Sequence, residues 1–345
     1  MGREKENGGT QRMNFKSVAI LGSGSFGTAI AKLLSPKVGE ILIIGREEDV
    51  ARGINSEHRN PKYLSGVVLP ANISAGTDIA AAAAHPLVIF AVPTAATRAC
   101  AEDLAKAGLP ASSVLLSCAK GIEQHTGDRM SQILRASLPS NPVAVLSGPN
   151  HAEELAIGQP ACAVIGCEDA AVADALQELF TLPQFRPYTS TDLAGIELGG
   201  AIKNVYAIAA GIAHGLGLGD NAVAALVTRA LAEMTRLGVA LGGRIETFAG
   251  LSGVGDLLVT CFSEHSRNHR VGLALGRGKS LEEAIGDLGM VAEGVPNTLS
   301  IFEASQRAGA RTPIIDAVHS ILYQHKPAAE AMMELLSRDT RTESE

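Results

Sequence analysis

Lys203 lies in Ile196-Glu197-Leu198-Gly199-Gly200-Ala201-Ile202-Lys203-Asn204-Val205-Tyr206-Ala207-Ile208-Ala209, a run that is apolar almost all round. A helix of that kind is buried, and a buried lysine needs a partner. Burial disfavours the charged amine and draws its pKa toward neutrality, which suits it to general acid–base chemistry. The alternative is a lysine whose stem packs while its ammonium reaches water. Asp256 and Thr260 are four apart in Gly255-Asp256-Leu257-Leu258-Val259-Thr260-Cys261, so a helical turn puts both on one side. Asp256 either pairs with Lys203 or caps a helix after glycine. A third group, Ser263-Glu264-His265-Ser266-Arg267-Asn268-His269-Arg270, precedes an apolar segment. There Ser266 or Asn268 can cap a helix whose N-terminus, with Arg267, would hold a phosphate. The plainer reading is a solvated basic turn. Lys120, just beyond an apolar strand, is a further candidate anion contact. Two positive groups near one crevice point to a phosphorylated substrate.

The elements that must position these groups begin at Ser17-Val18-Ala19-Ile20-Leu21-Gly22-Ser23-Gly24-Ser25-Phe26-Gly27-Thr28-Ala29-Ile30-Ala31. A short apolar run passes through G-x-G-x-x-G into a helix-forming segment, the order a dinucleotide fingerprint requires. Gly22 permits the tight turn, Gly24 leaves room for a pyrophosphate, and Gly27 lets the helix sit close on the strand. Alternatively, three glycines mark a tight strand-to-helix turn and nothing more. The next apolar strand ends at Arg46, followed by Glu47 and Glu48. An arginine there accommodates a 2′-phosphate, whereas an acid prefers a free 2′-hydroxyl. NADP is therefore the favoured cofactor, with NAD open.

Further strands are expected at 86–92, 114–118, 143–147 and 161–166, with helices at 78–84, 95–107, 128–137 and 170–180. This alternation predicts an α/β, doubly wound, mostly parallel sheet. From residue 193 onward only helices are expected, at 193–214, 222–241, 269–275, 281–288, 298–308, 314–323 and 328–336. The expected organisation is a tail at 1–15, a dinucleotide-binding domain at 16–191, an all-helical substrate domain at 192–336 and a frayed tail at 337–345. Residues 289–295 read as a loop between helices.

The chain has 345 residues, 46% hydrophobic and 19% charged, with a formal charge of −7. That composition fits an ordinary globular protein, and the acidic balance argues against nucleic-acid binding. Five cysteines, with no C-x-x-C pair, suggest free thiols in a reducing compartment and no metal site. The polar N-terminus has no apolar core of a signal peptide. The apolar stretch 201–218 carries Lys203, Asn204 and His214, so a core helix is expected there and no membrane insertion.

In combination these motifs carry a resemblance. The chain resembles the bacterial NAD(P)-dependent glycerol-3-phosphate dehydrogenases over roughly residues 16–336. The matching segments are the glycine loop at 22–29, Asn60-Pro61-Lys62-Tyr63-Leu64, Ala119-Lys120-Gly121 and Ser147-Gly148-Pro149. They continue through Lys203-Asn204, Gly255-Asp256-Leu257, Thr260-Cys261, Ser266-Arg267-Asn268 and Val291-Ala292-Glu293-Gly294. The resemblance implies that Lys203 donates and accepts the catalytic proton. It implies contacts to sn-glycerol 3-phosphate from Lys120, Gly148, Asp256, Ser266, Arg267 and Asn268. Ser25, Phe26, Arg46, Lys120, Ala152, Arg267, Val291 and Glu293 would contact the cofactor. Asn204 and Thr260 match polar groups near the reacting carbon. One departure stands out: Asn150-His151 replaces the usual Ser-Phe, so the implied substrate contact falls on Asn150. The resemblance further implies a cytoplasmic homodimer that interconverts dihydroxyacetone phosphate and sn-glycerol 3-phosphate for phospholipid synthesis.

Two other readings stay open from the residues. A related two-domain dehydrogenase could reduce a different 2-oxo compound, as ketopantoate reductase does. A non-catalytic nicotinamide sensor would bind cofactor without needing Lys203, Asp256 and Arg267 together.

Overall fold

The computed structural model describes residues 13–288, 291–337 and 342. Strands β1 (Ser17–Leu21), β2 (Glu40–Ile44), β3 (Ile73–Gly76), β4 (Leu87–Phe90), β5 (Val114–Ser117), β6 (Val143–Ser147), β7 (Ala161–Cys167) and β8 (Phe185–Ser190) form one sheet. Their order is β3-β2-β1-β4-β5-β6-β7-β8, with β6–β7 the one antiparallel pairing among them. β1, β4, β5 and β6 are almost wholly buried. That is why they read as continuous apolar runs and not as alternating ones. Helices α1 (Ser25–Leu34), α2 (Glu48–Glu57), α3 (Thr97–Lys106), α4 (Met130–Ser137), α5 (Ala152–Ala156) and α6 (Ala170–Phe180) connect them.

Two strands escape the sequence reading for a physical reason. β3 (ISAG) and β8 (FRPYTS) lie at the two edges of the sheet, and both carry exposed polar or small residues. Their apolar signal is too weak to announce a strand. The segment expected as a helix at 78–84 is a 3₁₀ turn, Ile79–Ala84, started by Asp78, whose carboxylate accepts from the Ala80 N–H. The ten residues between β3 and β4 hold this one short element.

The chain leaves β8 and enters α7 (Leu193–Gly215), the axis of the second half. It is followed by α8 (Asp220–Ala240), α9 (Ile245–Phe248), a π turn (Leu251–Gly255), α10 (Asp256–Phe262), α11 (Arg267–Gly276), α12 (Leu281–Gly286), α13 (Gly294–Arg307), α14 (Pro313–Tyr323) and α15 (Ala328–Leu336). Asp192 starts α7 by accepting from the Gly195 N–H, and also takes the Arg244 N–H and the Thr247 hydroxyl. α7 is long and apolar enough to cross a membrane by composition, yet its apolar window is wholly buried against the protein's own elements. The loop expected at 289–295 ends early, since α13 already starts at Gly294; residues 289 and 290 lie outside the described residues. The expected tails at 1–15 and 337–345 also fall mostly outside them.

α11 presses on α7 because both are glycine-lined where they cross. A Cβ on Gly211 would come 2.1 Å from the His269 carbonyl oxygen, and one on Gly272 would come 2.0 Å from that of Ile208. No larger residue fits at either place, so this close approach decides how near Arg267 and Asn268 lie to Lys203.

Candidate active site

The glycine loop sits at the topological switch point, where β1 lies between β2 and β4. Ligands of open α/β sheets bind at such a crevice. Gly22 has φ +113, and a Cβ there would strike the Ala91 carbonyl oxygen at 2.5 Å. A Cβ on Gly27 would come 1.9 Å from the Gly22 carbonyl oxygen, whereas Gly24 faces open space. No side chain caps α1 and its first turn holds no acid, so its N–H groups are left to an anion. The cradle therefore fits a dinucleotide pyrophosphate. Ser25 and Phe26 open the helix beside it. Asn60, fully buried, braces the loop: its Nδ2 donates to the Ser23 carbonyl and to Thr28 Oγ1, both at 2.8 Å. Its Oδ1 accepts from the Lys62 and Tyr63 N–H groups. The sequence singled out the segment holding Asn60, but not this bracing role.

Arg46 follows β2, on the side of β1 away from β4, and is exposed. The neighbouring Glu47 is engaged by Lys62 at 2.7 Å and by the Tyr63 hydroxyl at 3.4 Å. Hydrogen bonding from Lys62 holds the Glu47 carboxyl below its usual pKa. Among the described residues, no hydrogen bond or ion pair occupies the Arg46 guanidinium.

Lys203, on α7, is buried at 4% exposure. Its Nζ donates to Asp256 Oδ1 at 2.5 Å and to Thr260 Oγ1 at 2.6 Å. Asp256 and Thr260 are both on α10, and the Thr260 hydroxyl in turn donates to the Asp256 carbonyl at 2.6 Å. Burial pulls the Lys203 amine down to about 8; Asp256 opposes that shift and Lys120 adds to it. For Asp256 burial acts upward, but the two lysines outweigh it and keep the carboxyl below its ordinary value. Asp256 does not cap α10: its carboxylate is turned onto the amines.

Lys120 is not a free cation awaiting an anion. Its Nζ donates to Asp256 Oδ2 at 2.8 Å, the Gly148 carbonyl at 2.9 Å and Asn150 Oδ1 at 3.1 Å. Gly148, at φ +144, lies so close to β7 that a Cβ would meet Ala163 Cα at 3.0 Å. Its turn thereby delivers both the carbonyl and Asn150 to Lys120. Ala152, buried, begins α5 just beyond.

A second network joins the phosphate candidates to the same place. Asn204, next to Lys203, donates to the Lys120 carbonyl at 3.1 Å and accepts from Asn268 Nδ2 at 3.0 Å. Asn268 Oδ1 accepts from the Gly294 N–H at 2.9 Å, tying α11 to the start of α13. Ser266 is the cap of α11, accepting from the His269 N–H at 3.2 Å, while Asn268 lies inside the first turn. Arg267 Nη1 donates to the Val291 carbonyl at 2.9 Å. Burial raises the Glu293 carboxyl, and Thr94 and Arg267 beside it partly offset that. Lys120, Gly148, Asn150, Lys203, Asn204, Asp256, Thr260 and Asn268 thus form one connected cluster. Ser266, Arg267, Val291 and Glu293 border it, and Arg46 stands apart beyond β2.

The sequence reading missed Asn297, whose Nδ2 donates to the Ala201 carbonyl and whose Oδ1 accepts from the Ile122 N–H. It ties the Lys120 loop to α7 two residues before Lys203. No local pattern could have found it, since its partners lie 96 and 175 residues away.

Comparison with known proteins settles the family. Residues 17–173 match the model of the NAD-dependent glycerol-3-phosphate dehydrogenase N-terminus, and residues 192–333 match that of its C-terminus. The chain belongs to the NAD-dependent glycerol-3-phosphate dehydrogenase family. It is 43% identical over 336 residues to the glycerol-3-phosphate dehydrogenase [NAD(P)+] of Clostridium tetani, covering 97% of this chain and 96% of that one. Identity to the enzyme of the same name from Moorella thermoacetica is 45% over 331 residues, 96% and 98% of the two chains. The crystal structure of glycerol-3-phosphate dehydrogenase from Coxiella burnetii superimposes with a TM-score of 0.91 at 34% identity, covering 94% of this chain and 99% of that one. The mostly parallel sheet followed by a helical half is the architecture of this family.

Proposed function

We propose that the cluster around Lys203 interconverts dihydroxyacetone phosphate and sn-glycerol 3-phosphate, with Lys203 as the proton donor and acceptor. The activity is that of an NAD(P)-dependent glycerol-3-phosphate dehydrogenase, an oxidoreductase acting on a CH–OH group that supplies glycerophospholipid synthesis. The single observation that carries the assignment of roles is the buried Lys203 amine, held on Asp256 and Thr260 and tuned to about 8.

A bound nicotinamide supplies the hydride. The chain's own residues do the rest. Lys203 gives a proton to the alkoxide developing at C2, and Asp256 keeps the amine aimed and charged. Lys120, on the second oxygen of the same carboxylate, adds positive charge beside the polarised carbonyl. Arg267 and the N-terminus of α11 hold the phosphate, which fixes the carbonyl against the hydride donor. A positioned acid of this kind contributes ~10²–10⁴-fold in rate.

The glycine cradle and the unengaged Arg46 support NADPH as the preferred cofactor, with NADH as the alternative. We place the functional division at residue 191/192, between a dinucleotide-binding half and a substrate half. A cytoplasmic homodimer is part of the same proposal, carried by the family resemblance alone.

The test follows nicotinamide absorbance with NADPH or NADH and dihydroxyacetone phosphate, with unphosphorylated dihydroxyacetone in parallel. Rapid oxidation with the phosphorylated ketone alone is the expected result. Cofactor binding without oxidation would overturn the assignment.

A further inference from the structure

The end of β2 lies against the glycine loop. The Gly22 N–H donates to the Ile44 carbonyl at 2.7 Å, and a Cβ on Gly45 would come 2.1 Å from Ser23 Oγ. Arg46 and Glu47, which follow, therefore leave the sheet at the rim of the crevice, where the adenosine ribose of a dinucleotide is met. The two are of opposite sign. A guanidinium there favours a 2′-phosphate, and a carboxylate one residue on opposes it.

That carboxylate is held by a partner from a separate loop. Lys62 Nζ donates to Glu47 Oε2 at 2.7 Å, and the Tyr63 hydroxyl donates to Oε1 at 3.4 Å. Glu47 stands at the N-cap position of α2 but makes no capping bond, so its side chain is given to this loop and not to its own helix. Lys62 is itself anchored. Its ammonium stands 5.4 Å from the centre of the Tyr63 ring, within cation–π range. The backbone N–H groups of Lys62 and Tyr63 both donate to Asn60 Oδ1, while Asn60 Nδ2 reaches the Ser23 carbonyl. Ser23, Gly45, Glu47, Lys62 and Asn60 thus close a ring at the edge of the crevice. The next acid but one, Asp49, is taken by Arg52 at 2.6 Å.

The side chains of Lys62 and Glu47 are 51% and 42% exposed, and an ion pair so open to water adds little to stability. Its consequence is for the charge that a bound dianion meets. With Glu47 neutralised, the rim carries the net positive charge of one arginine. With Glu47 free, it carries none.

We propose that Lys62 is a specificity-determining residue for the cofactor, which neutralises Glu47 and so lets Arg46 receive a 2′-phosphate. It acts through Glu47, and it turns a rim that would favour NADH into one that favours NADPH. The inference rests on the NADPH reading given above.

The experiment measures dissociation constants of NADPH and NADH by nicotinamide fluorescence in wild type, Lys62→Met and the double variant Lys62→Met/Glu47→Gln. Wild type should bind NADPH the more tightly. Lys62→Met should cut that preference by roughly fivefold, the scale of one exposed charge pair. The double variant has the same net charge at the rim as wild type and should regain the preference. The two cofactors differ only in the 2′-phosphate, so a merely structural role for Lys62 would weaken both alike. An unchanged ratio in Lys62→Met, or a loss that Glu47→Gln does not repair, would overturn the proposal. Wild-type protein that bound NADH as tightly as NADPH would overturn the cofactor reading, and this proposal with it.

Discussion

One oxygen of the Asp256 carboxylate holds the Lys203 amine at 2.5 Å, across 53 residues of sequence. Its other oxygen holds Lys120. A single buried anion thus compensates two cations, and the half-compensated Lys203 is left near the pKa at which a proton is readily given and taken back.

Lys203→Ala should lower turnover by at least about a hundredfold and leave NADPH affinity unchanged, because the glycine cradle lies on other elements. Titration of NADPH fluorescence alongside steady-state turnover measures both. Turnover close to wild type would remove Lys203 from its role.

The two directions of the reaction should respond oppositely to pH. Ketone reduction needs the protonated amine, so its rate should fall as pH rises through about 8. Alcohol oxidation needs the free amine and should rise through the same range. Asp256→Asn removes the charge that supports the ammonium, so both limbs should move to lower pH. pH profiles of kcat in both directions would show it; limbs that stay in place in the variant would exclude Asp256 as the support.

Arg267→Ala should raise KM for dihydroxyacetone phosphate by roughly 10–100-fold, the worth of a charge-assisted contact to phosphate. Activity on unphosphorylated dihydroxyacetone should change far less. Equal losses on both ketones would show that Arg267 supports the Val291 segment and not the phosphate.

Arg46→Ala should weaken NADPH more than NADH. Glu47, already held by Lys62, is poorly placed to repel a 2′-phosphate. Dissociation constants for both cofactors settle the matter, and parallel losses would mean that Arg46 does not read the 2′-phosphate.

Glu233 predicts a stability effect away from the site. Only 1% exposed, it accepts the N–H groups of Ile314 and Ile315 at the start of α14, at 3.0 Å each. Burial raises its carboxyl to about 7, despite those two donors. Between its unfolded value and about 7 the folded state binds the extra proton, so this contribution is complete in acid and is lost as pH rises. The full effect is on the order of 3 kcal/mol. Urea midpoints at pH 5 and pH 8 should therefore differ more in wild type than in Glu233→Gln.

What the sequence determined by itself was local. The glycine spacing at 22–27 announces a strand-to-helix turn because backbone freedom and close approach act within a few residues. The burial of Lys203 is legible because its helix carries no polar face. The buried strands are legible for the same reason, whereas β3 and β8 are not, since edge strands half in solvent lack that signal. Tertiary structure decided the partners. Lys120 looks like a free cation in sequence and is a partner of Asp256 only because folding closes a separation of 136 residues. Glu233 and Asn297 are likewise invisible until the chain is packed. A hydrogen-bond partner belongs to the neighbourhood that long-range packing creates, and that neighbourhood has no periodicity to read.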